Sequence, residues 1–129
     1  MLQPIANYVL HLLLAGTLLL IFFLVYTRLT PFNEVLLIRQ GNNAAAISLA
    51  GALVGFSLTL ASCLFHTDDY LAFLAWAVGA MVVQILSYAI TSGLLRMSKD
   101  QIEANNTAFG ALLASISLSI GAINAACIS

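Results

Sequence analysis

A chain of 129 residues that is 62% apolar and only 7% charged, with a mean hydropathy of +1.05, lies far outside the composition of soluble domains, which are roughly 25% charged. Its formal net charge of -1 offers no basic surface, so nucleic acid is not an expected partner. At roughly 20 residues per crossing, the length holds four membrane-spanning helices with short connections and no separate soluble domain.

The opening "MLQPIANYVLHLLLAGTLLLIFF" lacks the basic start of a secretory signal and stays apolar as far as Tyr26, too long for a signal core. It reads as a retained span from about Tyr8 to Thr27, with Tyr8 and His11 as interfacial anchors. In the connection "TRLTPFNEVLLIRQGNN", Thr30 can cap a short helix that starts at Pro31 and ends at Gly41. Phe32, Val35, Leu36 and Arg39 would share a face suited to the headgroup layer.

A second span is expected from about Ala44 to Phe65. Along it Ala45, Ser48, Ala52, Gly55 and Thr59 recur at three- and four-residue spacing, and Gly51 with Gly55 makes a GxxxG. In the "HTDDY" loop, His66, Asp68 and Asp69 lack a fourth ligand, so no metal site is expected, and an aspartate cap for the next helix is the simpler reading. The third span, about Tyr70 to Ser92, carries one mid-membrane amide, Gln84, expected to hydrogen-bond another helix. In "MSKDQIEANN", Ser98 and Gln101 have capping-box spacing, which predicts a helix starting at Lys99 and running straight into the fourth span.

That fourth span, about Asn106 to Cys127, repeats the small-residue stripe with Ala108, Ala111, Ser115, Ser119, Ala122 and Ala126. Lipid tails give helices no hydrophobic reason to associate, whereas small residues let backbones approach. Spans two and four are therefore expected to pack together through Ser48, Gly51, Ala52 and Gly55 against Ala111, Ser115 and Ser119, leaving span one to the lipid. Asn124 can add a hydrogen bond across helices. Cys63 and Cys127 read as small buried thiols or, if the spans bring them together, as one disulfide.

All four basic residues lie in the first and third connections, Arg28 with Arg39 and Arg96 with Lys99. The positive-inside rule places those connections in the cytoplasm and both termini outside. An offset of 63 superposes Asn42 on Asn105, Asn43 on Asn106, Ala45 on Ala108 and Leu49 on Leu112. The chain thus reads as one all-α membrane domain of four transmembrane helices built as two parallel two-helix repeats, about 1–66 and 67–129. The asparagines Asn42, Asn43, Asn105 and Asn106 either cap helices or converge as a polar cluster for an ion, a lipid headgroup or a partner.

The phrases "TPFNE", "GNNAAA", "ANNTA" and "GAINAAC" resemble the uncharacterised bacterial inner-membrane family described as domain of unknown function 350, also uncharacterised protein family 0719. The resemblance covers essentially the whole chain. It implies a four-helix protein of the bacterial inner membrane and supplies no activity or catalytic residues.

No Asp, Glu, Lys or Arg lies within a predicted span, which disfavours proton relays, voltage sensors and coupled pumps. No nucleophile, base and orienting group can be assembled, so neither an enzyme nor a cofactor is expected. Two readings remain. One is a small oligomeric structural or interaction module, with lipid, further copies and a protein at the cytoplasmic face as partners. The other is a passive channel or small-solute carrier in which Ser57, Ser115, Ser117 or the asparagines line a path between copies.

Overall fold

The computed structural model describes residues 2–30, 33–67, 69–95 and 98–128. Within them the chain is all-helical, in the order α1 (Leu2–Leu29), α2 (Glu34–Arg39), α3 (Asn43–His66), α4 (Tyr70–Leu95), α5 (Ser98–Glu103) and α6 (Thr107–Ile128). Helices α1, α3, α4 and α6 are long and apolar enough to cross a membrane. Even α6, with 22 residues, extends about 33 Å against roughly 30 Å of hydrocarbon. The first helix starts at Leu2, well before Tyr8. Gln3, Pro4 and Asn7 dilute the hydropathy there, yet Pro4 sits in the first turn, where its missing amide would have had no helical acceptor.

Helices α3 and α6 run parallel and in backbone contact. A Cβ at Gly110 would lie 2.6 Å from the Ala44 carbonyl oxygen, and one at Gly55 would lie 2.6 Å from that of Ser117. Gly51 meets Ala114, and Gly121 meets Gly55. Hydroxyls tie the half of the seam nearer the helix C-termini: Thr59 donates to the Gly121 carbonyl at 3.1 Å and Ser62 to that of Ala125 at 2.6 Å. Each such bond contributes about 0.6–2 kcal/mol.

On α3, Ser48, Gly51, Ala52 and Gly55 are buried. The expected face of α6 is the wrong one. Its buried residues are Gly110, Leu113, Ala114, Ser117 and Gly121, whereas Ala111, Ser115 and Ser119 point outward with Ala108, Ala122 and Ala126. Two small-residue faces run along this helix at similar spacing, and the one that holds the glycines permits the closer approach.

Helix α1 packs on α3 and α4, and α4 packs on α3 and α6. The first helix is not wholly given to lipid. Leu18, Phe22 and Tyr26 form a buried stripe, and Phe22 stacks on Phe56 with ring centroids 4.5 Å apart. Polar groups inside the bundle are bonded across helices, Gln84 Nε2 to the Ser117 carbonyl at 3.0 Å and Asn124 Nδ2 to that of Ala80 at 3.3 Å.

Candidate functional site

Both short connections lie at one end of the bundle, and they are built alike. Helix α5 corresponds to α2 sixty-four positions earlier, Ser98 with Glu34 and Glu103 with Arg39. Each ends on a left-handed residue, Gly41 at φ 83° and Asn105 at φ 59°. The next amide then reaches back five residues, Asn42 N–H to the Leu37 carbonyl and Asn106 N–H to that of Gln101. This is the Schellman ending, which satisfies the last carbonyls of a helix. The expected continuation of one helix from Lys99 into the fourth span is therefore broken at Asn105, where a left-handed residue stops it.

The register also corrects the pairing of the asparagines. Asn42 caps α3 by accepting from Ala45 N–H at 2.9 Å, and Asn106 caps α6 by accepting from Phe109 N–H at 3.1 Å, so these two are equivalent. Asn105 corresponds to Gly41 instead. Its side-chain oxygen crosses to α3 and accepts from Ala44 N–H at 3.0 Å, while Asn42 Nδ2 donates to the Ile102 carbonyl at 2.7 Å. Asn106 Nδ2 donates to Gln101 Oε1 at 2.7 Å. Asn42 and Asn105 thus clasp the two connections together, each by a bond to the other's backbone, while Asn106 bonds within its own connection. Asn43 is exposed on the first turn of α3.

The start of α2 differs from its expected position. Asn33 is the cap, accepting from Leu36 N–H at 3.2 Å, and Thr30 instead donates to the Thr27 carbonyl at 3.1 Å. Pro31 and Phe32 lie outside the described residues. From the Asn33 start, Val35, Leu36 and Arg39 are exposed and Leu37 turns inward. Glu34 turns inward as well, and is only 1% exposed.

Glu34 is the residue that sequence reasoning missed. Neither of its carboxylate oxygens has a hydrogen-bond partner among the described residues, and the same holds for the Tyr26 hydroxyl. Burial pushes the Glu34 carboxyl up from its ordinary 4.5 to about 7, with the Thr30 hydroxyl beside it offsetting part of the rise. Tyr26 faces Glu34, Tyr88 and the Ser48 hydroxyl, and the rings of Tyr26 and Tyr88 meet edge to face at 5.1 Å. The buried acid therefore lies beside Tyr26 and Thr30, and Tyr26 connects it to Ser48 of α3 and Tyr88 of α4. Ionised, the acid only accepts hydrogen bonds; protonated, it also donates one.

Other candidates resolve locally. His11 stacks on Tyr70 at 4.7 Å, and the Tyr70 hydroxyl donates to Asn7 Oδ1 at 3.0 Å, whereas Tyr8 is exposed. Asp69 caps α4 through Ala72 N–H at 2.7 Å. Asp68 and Arg96 lie outside the described residues, as do the side chains of Ser98 and Lys99. Both cysteines are free, Cys63 buried and Cys127 exposed. Ser57 and Ser115 donate to their own helices, at 2.8 Å each, and Ser117 is buried in the α3/α6 seam, so the three do not line a common path.

Comparison with known proteins agrees with this architecture. The family model described as Domain of Unknown Function (DUF350) matches residues 1–128. The chain is similar to the UPF0719 inner membrane protein YjfL of Escherichia coli (strain K12), with 32% identity over 110 residues, 85% of this chain and 83% of that protein. The YjfL of Escherichia coli O157:H7 matches to the same extent. No solved structure matches the chain. With its whole length matched and four apolar helices in place, the chain belongs to the DUF350 family of multi-pass inner membrane proteins.

Proposed function

We propose that this chain is a small self-associating interaction module of the inner membrane, built as two parallel two-helix halves and acting through assembly rather than catalysis. The observation that carries this reading is the outer face of α6. Ala108, Ala111, Ser115, Ser119 and Ala122 are exposed along it, while α1, which could have covered it, packs on α3 and α4. The Ser115 and Ser119 hydroxyls bond back to their own helix at 2.8 and 2.7 Å, so the face is smooth. In lipid such a surface gains by close contact with another helix. The same face of a second copy is complementary to it across a two-fold axis.

Arg28 precedes α2 and Arg39 ends it, which supports a cytoplasmic position for the α2/α5 end and an outer position for both termini. Val35, Leu36 and Ile38 are exposed on α2 and would then meet inner-leaflet headgroups or a protein partner. Phe22, Phe56 and the glycine seam fill the interior, so conduction through a single copy is disfavoured.

Light scattering on the purified full chain in detergent and in lipid nanodiscs tests self-association. The wild type should run as a dimer or larger. Ala111→Leu combined with Ser115→Leu should shift it toward monomer, and Ala75→Leu, on the exposed side of α4, should not. A wild type that stays monomeric at every protein-to-lipid ratio refutes the proposal.

A further inference from the structure

Among the described acidic residues only Glu34 is buried; Asp69, Asp100 and Glu103 are exposed. An unpaired carboxylate out of water is expensive, and proteins meet that in one of two ways, with a cationic partner or by keeping the acid neutral. The neighbours decide between them. Tyr26 of α1 and Thr30, just past its end, face the carboxyl, and Tyr26 in turn meets Ser48 of α3 and Tyr88 of α4. None of these is cationic. Arg28, at the end of α1, and Arg39, on α2 itself, are both exposed, and among the described residues no basic side chain faces the carboxyl.

An acid that is buried, with neither oxygen bonded and no cation beside it among the described residues, is arranged for the neutral form. We propose that the buried Glu34 carboxyl, beside Tyr26 and Thr30, is a proton-binding site that holds α2 against the bundle when occupied and releases it when empty.

With the proton bound, the acid group lies buried and Leu37 packs inward beside Ala44 and Ile102. On deprotonation the O–H bond breaks, its electron pair stays on the carboxylate, and the proton passes to water at the α2/α5 end. The carboxylate is then drawn to water, and α2 lifts with it. Asn42 stays clasped to Ile102 throughout, so Gly41, with φ 83°, is the junction about which α2 turns. Lifting α2 uncovers Tyr26 and re-aims the exposed Val35, Leu36 and Ile38. This site does not depend on self-association through α6.

The full chain in lipid vesicles provides the test, with the infrared carbonyl band of a protonated carboxylic acid followed across the neutral range. In the wild type and in Glu103→Gln the band should fade with a midpoint near 7, and in Glu34→Gln it should be missing. Amide hydrogen exchange of α2, corrected for the intrinsic effect of pH, should show opening that rises roughly 70-fold from about pH 5 to about pH 8 in the wild type, and not in Glu34→Gln. A midpoint in the ordinary carboxylate range overturns the proton site. A neutral midpoint with unchanged α2 protection overturns the docking. A midpoint that moves with sodium but not with choline overturns the proton as the ligand and assigns a monovalent cation in its place.

Discussion

Asn105 carries two separable tasks, and substitution can take them apart. Its backbone is left-handed at φ 59°, and its side chain caps α3 from the opposite connection through Ala44 N–H. Asn105→Gly keeps the first task and loses the second. Removing a capping oxygen costs about 1 kcal/mol, and the freedom that glycine adds to the unfolded chain costs about 0.5–1 kcal/mol more. Asn105→Ala loses both tasks, because a Cβ in the left-handed region meets the following carbonyl at a cost of about 1–2 kcal/mol, though alanine escapes the added entropy. The expected losses are about 1.5–2 kcal/mol for Gly and about 2–3 kcal/mol for Ala. Reversible unfolding in mixed micelles, read by the helical circular dichroism signal, measures both. Asn105→Asp separates the tasks further, since it keeps the acceptor and tolerates the backbone, and should lose least. If Ala and Gly prove equal the left-handed backbone is not what Asn105 is needed for, and if Gly is neutral the cross-cap contributes nothing.

Three further outcomes follow from named contacts. The Glu34 carboxyl is raised from 4.5 to about 7, so its contribution to the docked state is fully present below 4.5 and is lost as pH rises through 7; the difference is about 3 kcal/mol, and a Glu34→Gln protein should show that much less pH dependence in thermal unfolding over this window. Gly55→Ala drives a methyl group to 2.6 Å from the Ser117 carbonyl oxygen, whereas a Cβ at Gly79 meets nothing within 4 Å. The first should destabilise by about 2–3 kcal/mol through overpacking against backbone and the second should stabilise by about 0.5–1 kcal/mol through helix propensity, with equal effects refuting the close approach of α3 and α6. Gln84→Met removes the bond to Ser117 but also removes a buried Oε1 with no partner, so the net change in unfolding free energy should stay below about 1 kcal/mol.

The four spans were legible because hydropathy needs only residue identity, and the α3 side of the central seam was legible because Gly51 and Gly55 mark one face. Helix α6 was ambiguous for a physical reason. Its alanines and serines fill two adjacent faces, and the choice between them depends on what the partner helix presents, which no spacing within α6 records. Glu34 was illegible for another reason. A six-residue helix has its phase set by its cap, and moving that cap from Thr30 to Asn33 rotates every later side chain. The local signal was present, since Asn33 and Glu34 are favoured cap and first-turn residues. What the sequence lacked was any indication that the inward face would hold the acid and the outward face Val35 and Leu36.

The two connections share their backbone geometry and differ in what their side chains do. Position 34 in the first connection is a buried glutamate, and its counterpart in the second is Ser98. The left-handed position is Gly41 in one and Asn105 in the other, so only the second half reaches across to cap its neighbour. Helix α3 is enclosed by α1, α4 and α6, while α6 keeps one face of small residues open. A symmetric pair would satisfy both halves equally and leave nothing to respond or to bind. Here the first connection carries the buried acid, both contribute to the clasp through Asn42 and Asn105, and α6 carries the bare face. Gly41 is also the one left-handed junction without a side chain to anchor it, on the connection whose helix holds the acid, which places the freedom to turn where the charge changes.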